Sequence, residues 1–326
     1  MKKEKITLEQ IAKELGVSKM TVSKALNNST DISKETKRKV MEKINAYGYV
    51  KNEDAISFRT GKNNTVVVIF NDLSNPYFSF SCQKSVSVLK ELGFNASLYF
   101  CTNYELTMED VQKISHTKCS GILSFVSPNK DFINYVNDRA IPFALVGIKN
   151  LEKGIDSFYT DDYDGGYKIG QYCKNKNFKN ALMVNDTFSE TGIRREKGFV
   201  DSLKDTDCIV NVVRLKKHEV YDSFVNRLFN TIANSNCDFI MFVSDNSALN
   251  CIKKLKVNNY KKTLCIFGYD NLNKYSNLIK EINSVDYDQN SIINDACVNL
   301  IKKIKDEIEY RTQISLIYPT IIKIVS

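Results

Sequence analysis

The chain has 326 residues, 43% hydrophobic and 26% charged, with only four prolines, a globular composition too long for one simple core and free of low-complexity tracts. No apolar run approaches the roughly 20 residues that span a bilayer, and "MKKEKITLEQ" carries lysines without an apolar signal region, so the chain is read as cytoplasmic and not membrane-bound. The formal charge is +8, and residues 1 to 61 hold 13 Lys+Arg against 8 Asp+Glu, a net of +5 that leaves +3 for the remainder. That excess marks the amino end as the part that faces a polyanion.

In chain order, "ITLEQIAKELG" opens with Thr7 and Gln10 three positions apart, a capping-box spacing. Leu8, Ile11, Ala12 and Leu15 follow at helical spacing, and Gly16 is placed to end the helix. Ser18 caps a second helix, in which Val22, Ala25 and Leu26 share the packing side. Lys19, Met20, Ser23 and Lys24 are turned outward. A third helix begins at Ser33, carries Thr36, Val40, Ile44 and Tyr47 on its inner stripe and ends at Gly48. Two helices joined by so short a turn predict a helix-turn-helix, whose second helix enters the major groove of DNA. Lys19, Met20 and Lys24 then face base edges, while Ser23, Thr21, Ser18 and Thr7 serve phosphates or the caps beside them. The competing reading is a small helical bundle for protein contact.

The stretch "ITLEQIAKELGVSKMTVSKALNN...ISKETKRKVMEKINAYGYVKN" closely resembles the amino-terminal domain of the lactose-repressor and galactose-repressor family of bacterial transcription regulators, including "GVSxxTVSxxLN" and the "YGY" ending. The resemblance implies base-reading positions at Lys19, Met20 and Lys24. It also implies that "NEDAISFRTGK" becomes a hinge helix on the operator and drives an apolar side chain into the minor groove. The aligned wedge is Phe58, where leucine is usual, with Ala55 matching, Ile56 in place of a common arginine and Lys51 in place of a frequent proline. Phenylalanine is a competent wedge; the alternative is that Ile56 and Phe58 pack on the next domain.

From residue 65 onward, apolar runs alternate with helix-like stretches: "TVVVIF", "ASLYF", "GILSFV", "PFALVGI", then "ALMVND", "NVVRL", "FIMFVS" and "LCIFGY". Eight such runs predict two parallel sheets of α/β type. Between the first two, Cys82, Val86 and Leu89 are expected on the packing face of a helix. No glycine-rich phosphate loop follows any strand. Nine cysteines without a C-x-x-C pair read as reduced core residues, and only His116 and His218 are available for a zinc site or a cysteine–histidine nucleophile. Neither an enzyme nor a cofactor is therefore expected.

Ligands of open α/β sheets gather at the carboxyl ends of the strands. Those ends read "NDLSNPYF", "SFVSP", "NDTFSETGIRREKGF", "SDNSA" and "GYDN", a set of carboxylates, amides, one arginine cluster and aromatics suited to a polyhydroxylated ligand. Here too the chain is similar to the same family, whose effector-binding core looks like a periplasmic sugar-binding protein, through "SNPYF", "DDYDGG", "RREKGF" and "GYDN". The likeness places Arg195 and Asp270 on the effector-binding arginine and aspartate, with Phe78, Phe125 and Asp245 as further candidates, while Ser244, Gly147 and Tyr287 depart from the usual asparagine, aspartate and glutamine. Each has a plainer reading: Arg195 paired with Glu196 or Asp201, Asp270 capping a helix near Leu272, and Phe78 and Phe125 in the core.

The expected organisation is a small all-α helix-turn-helix domain at 1–50, a hinge at 51–62 and a two-lobed α/β core at 63–326, periplasmic-binding-protein-like with parallel sheets flanked by helices. The amino lobe is drawn at 63–158 plus 288–312 and the carboxyl lobe at 159–287 plus 313–326. The expected function is a homodimeric repressor that binds a near-palindromic operator in double-stranded DNA under control of a small effector, a sugar. Its rivals are control by a nucleobase or a protein corepressor, a solute-binding module without regulation, and an α/β enzyme.

Overall fold

The computed structural model describes residues 6–26, 29–49, 63–150, 152–275 and 282–325. The chain divides into two compact units, Met1–Lys62 and Asn63–Ser326. In the first, α1 (Leu8–Leu15), α2 (Lys19–Leu26) and α3 (Lys34–Tyr47) enclose a core of Ile11, Ala12, Val22, Ala25, Val40 and Ile44. The capping box is formed, with the Gln10 amide on Thr7 Oγ1 and the Thr7 amide on Gln10 Oε1, and α1 ends at Gly16 with φ +65°. Tyr47 is a correction: it is exposed and its hydroxyl donates to Glu14 Oε2 at 2.5 Å. A phenol at the last turn of α3 reaches an acceptor on α1 more readily than it fills a small core.

The second unit is α/β throughout. Its elements are β1 (Thr65–Phe70), α4 (Pro76–Glu91), β2 (Asn95–Phe100), β3 (Glu105–Leu106), α5 (Met108–Ser115), β4 (Gly121–Ser124), β5 (Ser127–Pro128), α6 (Lys130–Asp138), β6 (Phe143–Val146) and β7 (Asp156–Thr160). There follow α7 (Asp162–Asn175), β8 (Asn180–Asn185), α8 (Glu190–Leu203), β9 (Ile209–Arg214), α9 (Tyr221–Ala233), β10 (Phe239–Phe242), α10 (Asp245–Val257), β11 (Cys265–Phe267), a 3₁₀ turn at Leu272–Lys274, β12 (Ser284–Asp286), α11 (Gln289–Ile304), β13 (Ser315–Tyr318) and β14 (Ile321–Lys323). All eight expected apolar runs are strands. On α4, Cys82, Val88 and Leu89 are buried but Val86 is exposed, because the buried stripe runs through Ser85, whose hydroxyl is satisfied by the Ser81 carbonyl at 2.7 Å.

Two parallel sheets result, one of order β13-β7-β6-β4-β1-β2 and one of order β11-β10-β8-β9, with β12 and β14 forming an antiparallel pair. Each parallel sheet reverses its winding once, between β1 and β4 in the first and between β8 and β10 in the second, and such switch points open crevices at the strand ends. The chain passes between lobes three times, near 161, near 287 and near 319. The second lobe boundary at 313 needs correction. β13 pairs in parallel with β7, and the Ile314 amide donates to buried Asp156, so this strand belongs to the first lobe; only β14 joins the second. Among the described residues, no helix is long and apolar enough to cross a membrane.

Candidate functional site

In the helical unit the turn between α1 and α2 is short, and Ser18 Oγ accepts the Thr21 amide at 3.0 Å and lies 2.9 Å from Thr21 Oγ1. Ser18 and Thr7 thus have their hydroxyls engaged in caps. Beyond the cap, α2 turns Val22 and Ala25 into the core and leaves Met20 68% exposed. Lys19 is ion-paired with Glu9 across the turn, and Lys24 lies 3.2 Å from Asp31. Both pairs are exposed, and exposed pairs contribute little to stability, so either lysine exchanges its carboxylate for another anion at small cost. Ser23 and Thr21 are half-buried beside them. The hinge positions Lys51, Ala55, Ile56 and Phe58 lie outside the described residues.

In the α/β unit a cavity of about 530 Å³ opens between the lobes. Loops after β1 and β4 contribute Asn71, Asp72, Phe125 and Ser127 from one side, and loops after β8 and β10 contribute Asp186, Thr187, Val243 and Ser244 from the other. These are the strand ends at the two winding reversals, which explains why the sites converge there. Phe125 stacks on Phe70 at 4.6 Å and meets Phe78 edge-on at 6.5 Å, so the two candidate phenylalanines are rooted in the core and present one side to the cavity.

Arg195, on α8, is the centre of the floor. Its Nε donates to Asp162 Oδ1 at 2.9 Å, its Nη1 donates to the Val243 carbonyl at 2.7 Å and lies 3.5 Å from Asp270 Oδ1, and the guanidinium lies 3.6 Å from the Tyr269 ring centre. It pairs with neither helical neighbour: Glu196 is taken by Arg214, and Asp201 by Lys204. Burial alone would lower the Arg195 pKa, but Asp162 and Asp270 raise it, and the group stays charged. Asp270, 8% exposed, also accepts the Tyr287 hydroxyl at 2.9 Å; burial pushes its pKa up to about 6 while Arg195 pulls it down.

Asp245 stands apart from the other candidates. It is 1% exposed and does not line the cavity; its Oδ2 accepts the Leu272 amide at 2.8 Å and its Oδ1 accepts Ser284 Oγ at 2.8 Å. Burial, joined by the charge of Asp270, pushes its pKa up to about 8. The capping of the turn at Leu272, the plainer role considered for Asp270, is therefore performed by Asp245, and Asp270 is left facing Arg195. Residue-by-residue reading missed Asp162, Asp186, Tyr77 and Tyr269. Asp162, Asp186 and Tyr269 lie within two residues of strand ends, the one signal that marks them, and Tyr77 opens the helix that follows β1.

Two family models match: the bacterial regulatory proteins of the lacI family over residues 7–52, and the periplasmic binding proteins and sugar binding domain of the LacI family over residues 63–321. The chain belongs to the lacI family. It is a DNA-binding transcriptional regulator with a periplasmic-binding-type core. The ribose operon repressor of Lactococcus lactis is 26% identical over 271 residues, 82% of this chain and 81% of that protein. The transcriptional regulator DegA of Bacillus subtilis is also 26% identical, over 208 residues that make up 62% of this chain and 61% of that protein. Among solved structures, the lac repressor dimer bound to operator and the anti-inducer ONPF matches with a TM-score of 0.80 at 16% identity, covering 98% of each chain.

Proposed function

We propose that this regulator is a homodimeric repressor that reads a near-palindromic operator with α2 and responds to a sugar held between its lobes. For DNA, the observation that carries the reading is the outward face of α2, where Lys19, Met20 and Lys24 stand clear of the core and only weak surface pairs occupy the lysines. Lys19, Met20 and Lys24 reach base edges, and Ser23, Thr21, Ser18 and Thr7 with the first amides of the helices approach phosphates. Ala55 and Phe58 are the minor-groove contacts.

For the effector, the reading rests on the cavity itself: polar strand ends on both sides, an arginine–carboxylate floor and a phenylalanine wall, the combination that grips hydroxyls and covers a sugar's apolar face. Arg195, Asp270, Phe78 and Phe125 contact the sugar; Asp245 supports the loop that carries Asp270. The test is selection of bound duplexes from a random pool at two salt concentrations, which separates base readout from phosphate attraction. An enriched near-palindrome whose affinity a monosaccharide lowers or raises supports the proposal. Sequence-blind, salt-sensitive binding counts against it.

A further inference from the structure

The charges that line the cavity do not balance. Among the described residues they are Asp72, Asp186, Asp270 and Arg195, with no lysine or histidine. The arginine is already faced by Asp162 at 2.9 Å and Asp270 at 3.5 Å, and Asp162 is 1% exposed, so one guanidinium answers for two carboxylates before any ligand arrives. The two oxygens of Asp186 accept only neutral hydroxyls, from Tyr221 at 2.8 Å and Ser247 at 2.6 Å, and Asp72 Oδ1 accepts the Ser74 amide at 2.7 Å. Neither has an ion-pair partner among the described residues.

The opposing consideration is that α4, α8 and α10 bring their amino ends to the cavity, and helix amino ends attract anions. Here each end is already served in part. Asn75 accepts the Tyr77 amide at 3.0 Å, Ser189 that of Gly192 at 3.2 Å and Ser244 that of Ser247 at 3.2 Å. Glu190 adds negative charge within the first turn of α8. An incoming phosphate or carboxylate would meet partly occupied amides, a neutralised arginine and three carboxylates. A cation would meet the carboxylates and, in the same lining, the aromatic rings of Phe78 and Phe125.

We infer that the effector cavity takes a small polyhydroxylated molecule that carries a protonated amine, and rejects phosphorylated or carboxylated sugars. The inference rests on the sugar-effector reading and narrows it to one charge class. A volume of about 530 Å³ suits a mono- or disaccharide of this kind.

The experiment is titration calorimetry on the full chain with matched sets: glucose, glucosamine, glucosamine 6-phosphate and glucuronate, and the corresponding galactose and mannose series. At least one amino sugar binds tenfold or more tightly than its neutral parent, its advantage shrinks at high salt, and the phosphate and uronate do not bind. In Asp72→Asn and Asp186→Asn the ratio of amino-sugar to neutral-sugar affinity falls severalfold toward unity. The inference is overturned if an anionic member binds as tightly as its neutral parent, or if no amino sugar gains on its parent. Neutral sugars that bind without any gain from the amine would overturn this charge assignment while leaving the sugar-effector reading intact; failure of that reading shows instead as operator binding indifferent to every sugar in the panel.

Discussion

At the scale of single residues, Asp245 separates what a sequence shows from what a fold decides. Its position after β10 makes it look like a ligand contact, as does Asp270 after β11, and the motif spacing cannot rank them. The ranking comes from which carboxylate the 3₁₀ turn needs: Leu272 offers its amide to Asp245, so that carboxylate is withdrawn and Asp270 remains at the cavity. A measurable consequence follows from burial. The folded-state pKa of Asp245 lies near 8, against about 4 for an unfolded aspartate. Below both values the two states bind the proton equally; between them only the folded state holds it. Stability from this group is therefore fully present at low pH and falls as pH rises toward 8, by up to ~1.4 kcal/mol per pH unit. Asp245→Asn keeps an acceptor for Leu272 and gains a donor for Ser284 while removing the titration. Urea midpoints at pH 5 and pH 8 are expected to show the variant gaining on the parent chain at the higher pH. Equal shifts in both proteins would refute the buried-proton account.

Among elements, the central strands were legible because strands buried on both faces are written as continuous apolar runs. The strands that went unread are the ones whose residues carry no such mark. "DSFYT" at β7 begins with a buried aspartate whose cost is met by Lys303 at 2.8 Å, a pairing 147 residues distant in sequence, and β13 is mostly exposed at a sheet edge. The approach of α7 to α8 is equally silent in sequence, although "DDYDGG" and "RREKGF" contain its cause. At Gly198 a Cβ would collide with the Tyr163 carbonyl, and at Gly166 with the carbonyl of Arg195, so the two helix backbones touch. This contact sets the distance between Asp162, at the start of α7, and Arg195 on α8. Gly198→Ala forces the helices apart, and overpacking of this kind costs about 1–3 kcal/mol. A lower melting temperature together with weakened effector binding is the expected result. A variant that melts lower yet binds the effector unchanged would show that the helix contact supports the fold without positioning the ion pair.

For the whole molecule, two of the three passages of chain between the lobes carry members of the polar floor, and the third is tied down beside α7. Asp162 follows the first passage and holds Arg195; Tyr287 lies in the second and donates to Asp270; Thr320 lies in the third, where its carbonyl accepts Lys168 Nζ at 2.8 Å. A ligand that engages Arg195 and Asp270 therefore pulls on side chains anchored where the lobes pivot, and any change in their relative angle is linked to occupancy. Allosteric coupling energies are typically about 1–3 kcal/mol, or 5- to 150-fold in affinity. Tyr287→Phe removes the hydroxyl that ties the second passage to the Asp270 carboxylate and leaves the ring in place. The ratio of operator affinities with and without effector is expected to fall severalfold toward unity. Linkage requires the same factor when effector affinity is measured with and without operator. Lys24→Ala is the complementary change: operator affinity drops while the effector dissociation constant of the DNA-free protein stays constant. If Tyr287→Phe weakened effector binding yet left the coupling ratio unchanged, the second passage would be a binding support only, and the pivot would have to be sought at Asp162 and Thr320.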